Sequence, residues 1–338
     1  MTELLKKLCE ADGVSGNEKA VRDVIIEEID GHCEWHIDPL GNIIAEKKGK
    51  KRPSKKIMLD AHTDEVGVIA TYINDDGFIS FSAVSPDSIR VESLLSKRVR
   101  FGNGTIGIIG QKPIHLLSKE ESKKLPSRDS LYIDIGCDSK EEAEKLVLPG
   151  DVAAFDAPFT DNGGFITAKA IDDRAGCAII IKLLQGEPAY DITATFTVQE
   201  ELGLRGAATA AFSVNPDFCI CLEATTASDI AGVEGGKRVC LLGEGPTISF
   251  MDNSTLYDRD LFKAALDSGV KCQVKTAVAG GNNSGSIHKS RGGVRTITIS
   301  VPCRYIHSSS CCSKIEDING AYSLAARMIE IIGGQFCD

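Results

Sequence analysis

The chain has 338 residues, more than one hydrophobic core usually serves, so its length predicts two domains. Its 42% hydrophobic and 25% charged residues are ordinary for a globular protein. A net charge of -10 and a pI of about 5.2 exclude nucleic acid and anionic membrane surfaces as main partners.

The N-terminus, MTELLKKLCEADG, carries acids early and has no long apolar segment, so it reads as mature sequence rather than a signal peptide. No stretch is apolar enough to span a bilayer. The 12 cysteines are scattered and include no CxxC pair. Without an export signal they read as reduced, mostly buried thiols of a cytoplasmic protein, with Cys311 and Cys312 as surface-loop candidates.

In chain order, LLKKLCEA predicts a helix. Ser15, Gly16, Asn17 and Glu18 then form a capping-box pattern ahead of the helix KAVRDVIIEEI. WHIDPLGNIIAEKKG predicts two short strands around a turn at 39–41. KKIMLDAH is a basic start, an apolar run, then Asp60 and His62, as in a buried strand that delivers polar groups at its carboxyl end.

From about residue 67 to 165 the texture changes. Six short β-like runs follow one another, VGVIATYI, GFISFSAV, KRVRF, GTIGIIG, LYIDIG and DVAAF, interrupted by the helical SKEEAEKL. They predict a small β-barrel or sandwich inserted into another domain. The expected division is therefore a catalytic domain of 1–66 and 166–338 around an insert of 67–165. Beyond the insert, DDRAGCAIIIKLL, LRGAATAAF, LYDRDLFKAALDSG and INGAYSLAARMIEII read as helices. ITATFTV, DFCICLE and VRTITISV read as strands between them. The fold class is α/β, a mixed and largely parallel sheet flanked by helices.

Open α/β sheets bind ligands beyond the carboxyl ends of their strands. There the sequence places His62, Asp64 and Glu65, then Asp172 and Asp173, Glu200 and Glu201, Glu223, and His307. Each alone has an ordinary account. Asp172 and Asp173 suit a helix start, Glu200 and Glu201 a solvated loop, and a single histidine a core hydrogen bond. Together they suit cations, because carboxylates gathered at one dry rim repel. Imidazoles with carboxylates favour Zn, Co or Mn over Mg or Ca. Two histidines and three acids would serve two ions sharing a bridging carboxylate, leaving one acid as a base.

The motifs AHTDEVG (61–67), AIDDRAGCA (170–178), QEELGLRGA (199–207) and RYIHS (304–308) resemble the tetrahedral-aminopeptidase and glutamyl-aminopeptidase family of dinuclear metallopeptidases. Their order, their spacing and the insert after the first motif agree with it along nearly the whole chain. The resemblance implies that His62, Asp172 and Glu223 hold one of two divalent metal ions. Asp172, Glu201 and His307 would hold the other, with Asp172 bridging. Glu200 would be general base toward a metal-bridging hydroxide, and Asp64 would orient His62. Glu200 and Glu201, adjacent in extended chain, would face opposite ways. The implied substrates are short peptides with a free amine, and the implied assembly is a homo-oligomer such as a dodecamer.

The chain departs from the family pattern at four places. Glu223 stands where the family mostly has Asp, and Asp173 replaces a common Asn, which adds negative charge. Asn282 and Asn283 replace Thr and Asp. Arg295 replaces Pro and is a candidate anchor for an acidic substrate side chain. Three other functions fit the same inventory less well: a metal-dependent deacylase, an endoglucanase, and a non-catalytic scaffold. Glycoside hydrolysis uses two carboxyls about 5–10 Å apart without a metal, and the histidines that accompany the acids here argue against it.

Overall fold

The computed structural model describes residues 1–85 and 89–337. In chain order come α1 (Thr2–Glu10), α2 (Lys19–Ile29), β1 (Glu34–Ile37), β2 (Ile43–Lys47) and β3 (Ile57–His62). Then come β4 (Gly67–Ile73), β5 (Ile79–Ala83), β6 (Arg98–Phe101), β7 (Ile106–Gly110), β8 (Tyr132–Asp134), α3 (Lys140–Ala143) and β9 (Val152–Phe155). They are followed by β10 (Thr160–Asn162), β11 (Phe165–Ala168), α4 (Ile171–Gln185), β12 (Ile192–Thr197), α5 (Arg205–Val214) and β13 (Phe218–Thr226). The chain ends with β14 (Thr247–Ile248), α6 (Arg259–Leu266), β15 (Gln273–Val274), α7 (Ser284–Ile287), β16 (Arg295–Cys303), β17 (Cys311–Lys314) and α8 (Ile315–Ile331).

The main sheet has eight strands in the order β1-β2-β12-β3-β13-β16-β14-β15. Its centre, β12-β3-β13-β16, is parallel, and antiparallel pairs β2-β12 and β14-β16 border it. The central strands are buried on both faces, as their unbroken apolar runs require. One face packs α1, α2, α4, α6 and α8 through Leu5, Ile25, Ile179, Leu261 and Leu324. The other packs α5 and α7 through Ala207, Ala211 and Ile287. Four parallel strands thus bring their carboxyl ends to one rim.

The six β-like runs form a closed antiparallel barrel, β4-β5-β8-β7-β6-β9, with its own core of Val68, Ile79, Phe101, Ile133 and Phe155. Strands β10, β11 and β17 make a separate small sheet.

Three expectations are corrected. Ser15 does not cap α2, whose N-cap is Glu18 with no side-chain bond to the helix; the Ser15 hydroxyl instead donates to Asp64, 2.6 Å away. Cys311 and Cys312 lie buried in β17, not in a surface loop. Arg295 begins β16, opposite Phe218 at the start of β13, and Glu223 is five residues further along. At about 3.3 Å per residue that is about 16 Å from the carboxyl rim. Its guanidinium instead grips Asp258 at 2.6 and 2.9 Å and Asp260 at 3.1 Å.

Barrel and sheet meet through charges. Arg100 of β6 binds Asp12 with two bonds, 2.8 and 2.9 Å, and Asp156 with a third of 2.9 Å. Burial would raise the Asp12 carboxyl, but Arg100 and Lys169 hold it below its ordinary value. Lys169 also reaches Glu65 at 2.6 Å. Fully buried Arg174 meets Glu65 at 3.2 Å and the carbonyls of Thr63 and Ala11 at 3.0 Å, and it also bonds Leu8. Arg174→Met should lower unfolding free energy by about 3–5 kcal/mol, because it strips partners from a buried charge. Urea denaturation measures this, and a loss below about 1 kcal/mol would contradict the role given to the network.

Candidate functional site

Each rim residue reaches its place by a different local device. His62 ends β3 and Glu223 lies late in β13, and both are buried. Asp172 follows left-handed Ala170 (φ 54). Asp172 and Asp173 keep non-helical angles at the start of α4, so the regular helix begins at Arg174. The Asp173 carboxylate accepts the Gly176 N–H at 2.9 Å, as a cap does.

Glu200 and Glu201 are not in extended chain. Strand β12 ends at Thr197, Gln199 is left-handed (φ 56), and the Gly203 and Leu204 N–H groups close a turn onto the Glu200 carbonyl at 2.8 Å. The turn, not strand alternation, sets the directions of the pair. Asp64 pins it, accepting the N–H groups of Glu200 and Glu201 at 2.9 and 3.1 Å. Asn42 holds Val198, two residues before Glu200, accepting its N–H at 2.9 Å. His307 rides the loop between β16 and β17 and is itself left-handed (φ 59). Two bonds of 2.7 Å from Arg304 to Asp229 anchor that loop.

These segments converge. His62 Nε2 lies 3.4 Å from Asp172 Oδ1 and 3.3 Å from Glu223 Oε1. His307 Nε2 lies 3.6 Å from Asp172 Oδ2 and 3.4 Å from Glu201 Oε1. His62, Asp172 and Glu223 form one group that could hold a metal ion, and Asp172, Glu201 and His307 another. Within each group the donor atoms lie within 4.8 Å of one another. The other His62 nitrogen, Nδ1, faces the Asp64 carbonyl at 3.1 Å and its carboxylate at 3.4 Å. A cavity of about 10 Å3, the size of a single water, touches Glu65, Lys169, Asp172, Glu201 and His307.

Electrostatics test whether a cation fits. Asp172 Oδ1 and Glu223 Oε2 are buried without a hydrogen-bond partner. Burial pushes Glu201 up to about 7 and Glu223 up to about 8. It pushes Glu200 well above its ordinary value, with Glu223 and Glu201 adding to the rise. Burial disfavours charged His307, yet Asp172 and Glu201 raise it to about 9. Among the described residues no Lys or Arg pairs with Asp172, Glu201 or Glu223. A set of buried oxygens and imidazoles, short of positive charge and with unused lone pairs, fits divalent cations.

The family departures also have places. Burial, reinforced by Glu223 and Asp172, raises Asp173 well above the usual carboxylate range, which damps its added charge. Asn283 donates to Asp60 and Thr197, both at 2.8 Å, below the rim. Asn282 donates to Tyr257 at 3.0 Å. The sequence reading missed Lys169, Arg174 and Ser15. Two buried cations flanking the Asp172-Asp173 pair were a signal for the first two.

The profile of the M42 glutamyl aminopeptidase family matches residues 41–324, and an AMPT profile matches residues 1–25. A protein of Acetivibrio thermocellus named as an aminopeptidase is 41% identical, with 97% of this chain and 98% of that protein aligned. Lysyl aminopeptidase of Pyrococcus furiosus is 32% identical, over 97% and 96%. The crystal structure of a TET aminopeptidase from a marine sediment Thaumarchaeota archaeon superposes with a TM-score of 0.93 at 32% identity, over 98% and 96%. Pyrococcus horikoshii TET1 peptidase, described as assembling into a tetrahedron or a large octahedral shell, has a TM-score of 0.84 at 32% identity, over 97% and 98%. Fold and comparisons define a hydrolase of the aminopeptidase class. The chain belongs to the M42 glutamyl aminopeptidase family, whose members are metal-dependent.

The raised groups fix a sign. Glu201, Glu223 and His307 each bind protons more tightly in the folded chain than in the unfolded one. The folded state therefore holds more protons between about pH 5 and 9, and stability falls as pH rises through that window. Melting of the chelator-treated protein at pH 6, 7, 8 and 9 should show a falling midpoint; a rising one would refute this assignment.

Proposed function

We propose that the chain is a dinuclear-metal aminopeptidase that removes N-terminal residues from short peptides. The observation that carries this is the pair of His–carboxylate groups sharing Asp172. His62, Asp172 and Glu223 would hold one divalent ion and Asp172, Glu201 and His307 the other. Zinc or cobalt suits this donor set best, with manganese next. Ions bound there would polarise a scissile carbonyl and activate water near neutral pH.

Glu200 is the proton carrier. It sits beside the cluster on a pinned turn, and its raised affinity for a proton suits an acid–base group. It takes a proton from the attacking water and returns it to the leaving amine. Asp64 is the positioning residue: it faces His62 Nδ1 and fixes the backbone of Glu200 and Glu201. A substrate's cationic amine is drawn to the acidic rim.

The catalytic body is 1–66 and 166–338, and the barrel insert, 67–165, joins subunits into a homo-oligomer of the TET kind, such as a dodecamer. Among the described residues no helix is long and apolar enough to cross a membrane. The cysteines of the chain are free, which suits the reducing cytoplasm.

Glu200→Gln should keep its metal and lose about 10²–10⁴ in kcat on leucyl, glutamyl and lysyl substrates. Near-normal turnover would remove Glu200 from the role. Removing metal should abolish hydrolysis. Adding zinc or cobalt back should raise the melting temperature more at pH 8 than at pH 6, because the ions must displace protons from Glu223 and His307. Equal rises at both values would count against these ligands.

A further inference from the structure

The amino ends of the same strands carry a second charged feature, of opposite sign. Residues 47–56 read KKGKKRPSKK, seven Lys or Arg in ten positions without one acid. Outside this segment the chain has 31 Lys and Arg against 48 acids, a net charge of -17. The segment connects β2 to β3 and borders a concavity of about 1100 Å3, closed on its other sides by His32, Glu34, Glu46, Asp191 and Thr193.

None of the seven cations forms an ion pair among the described residues. Lys47 and Lys56 donate to the carbonyls of His32 and Val214, each at 2.7 Å. Lys51 and Lys55 lie 5.8 and 5.7 Å over the rings of Tyr190 and Phe218. Asp191, the nearest acid in sequence to β12, accepts the Gly49 N–H at 2.8 Å. The backbone of the loop is held in place too, with Lys50 and Lys51 N–H bonded to Pro188 and Ala189 carbonyls at 3.0 and 3.1 Å. Fixed backbone thus lines the recess with seven cations against the three carboxylates of Glu34, Glu46 and Asp191, and this excess of like charge favours the entry of anions.

We propose that this recess binds short, multiply charged phosphate compounds. The six lysines are compact point charges of the kind that bind phosphate, and Arg52 can add a bidentate contact to the same group. The volume is that of a small-molecule site. A long nucleic acid is disfavoured, because the chain outside the segment is acidic and, among the described residues, no Tyr, Phe or Trp lines the recess as a stacking platform. Ile57 opens β3 and His62 closes it, so the recess lies about 16 Å of strand away from the metal-binding rim. The site is therefore separate from the peptidase centre, and its success or failure is independent of the proposed hydrolysis.

Equilibrium dialysis of the metal-loaded protein against inorganic tripolyphosphate tests it. Binding is expected at low salt and should weaken steeply as salt rises. Lys50→Glu/Lys51→Glu/Lys55→Glu should bind at least tenfold more weakly with leucyl-peptide hydrolysis retained, and Lys50→Gln/Lys51→Gln serves if that variant does not fold. Lys119→Glu/Lys123→Glu/Lys124→Glu, an equal charge change on the exposed barrel loop, should bind as wild type does. The proposal is overturned if wild type does not bind, if both triple variants weaken equally, or if a glutamate oligomer of matched charge competes as well as tripolyphosphate. Binding of adenosine triphosphate without binding of tripolyphosphate overturns it as well, since the phosphate chain would then not be the recognised group.

Discussion

Three carboxylates and two imidazoles meet at a largely buried rim, with His–carboxylate separations of 3.3 to 3.6 Å, and Asp172 belongs to both halves of the cluster. Two carboxylates about 4 Å apart repel by about 4 kcal/mol at an effective dielectric of about 20. Burial adds a desolvation penalty to each. The fold has cations close by, but they are committed elsewhere. Lys169, Arg174 and Arg100 neutralise Glu65, Asp12 and Asp156 in the layer that joins barrel and sheet. The cluster's own charge is answered only by protons, as the raised Glu201 and Glu223 show, or by ions that displace them. That shortage of positive charge makes the rim a metal-binding candidate instead of a structural salt bridge.

Holding the cluster together requires backbone that few residues tolerate. Ala170, Gln199, Tyr305 and His307 all have positive φ without being glycine, each at a cost of about 1–3 kcal/mol. Each is a cluster residue or lies two positions before one. Their neighbours are tied down by bonds from outside the loop. Asn42 grips Val198, Asp64 grips Glu200 and Glu201, and Arg304 grips Asp229. Ser15 extends the chain of constraint, since its hydroxyl fixes the Asp64 carboxylate that fixes the turn. The turn that follows left-handed Gln199 and closes onto the Glu200 carbonyl sets the directions of the two adjacent glutamates, and Glu201 joins the cluster while Glu200 stands beside it.

Much of this was legible in the sequence, for identifiable reasons. Strands such as IMLDAH and FCICLE are apolar runs closed by acids or histidine, and the rule that sites lie at strand carboxyl ends collects His62, Asp172, Glu201, Glu223 and His307 at once. The six barrel runs stand out by period and turn residues. What was illegible depends on contacts between distant segments. Arg295 looked like a ligand-binding cation because a single residue does not tell which end of its strand faces the site. Ser15 matched a capping box because local spacing says nothing of Asp64, 49 positions away. Strands β14 and β15 have two residues each, too short for any period. The turn at Glu200 was read as extended chain, since left-handed glutamine has no sequence signature.

The sheet also separates charge along its strands. Lys55 and Lys56 stand immediately before β3, and His62, Asp64 and Glu65 stand at and beyond its other end. Basic and acidic ends are thus divided by a strand whose six residues are all buried. The two ends lie about 16 Å apart along the strand, more than the Debye length of about 8 Å at physiological salt, so each mouth keeps its own sign. A peptide arriving with a free amine carries positive charge at the end that must reach the acidic rim. The opposite end would repel that amine and attract anions instead. A single run of eleven residues, 55–65, therefore carries basic groups at one end of the sheet and acidic groups at the other.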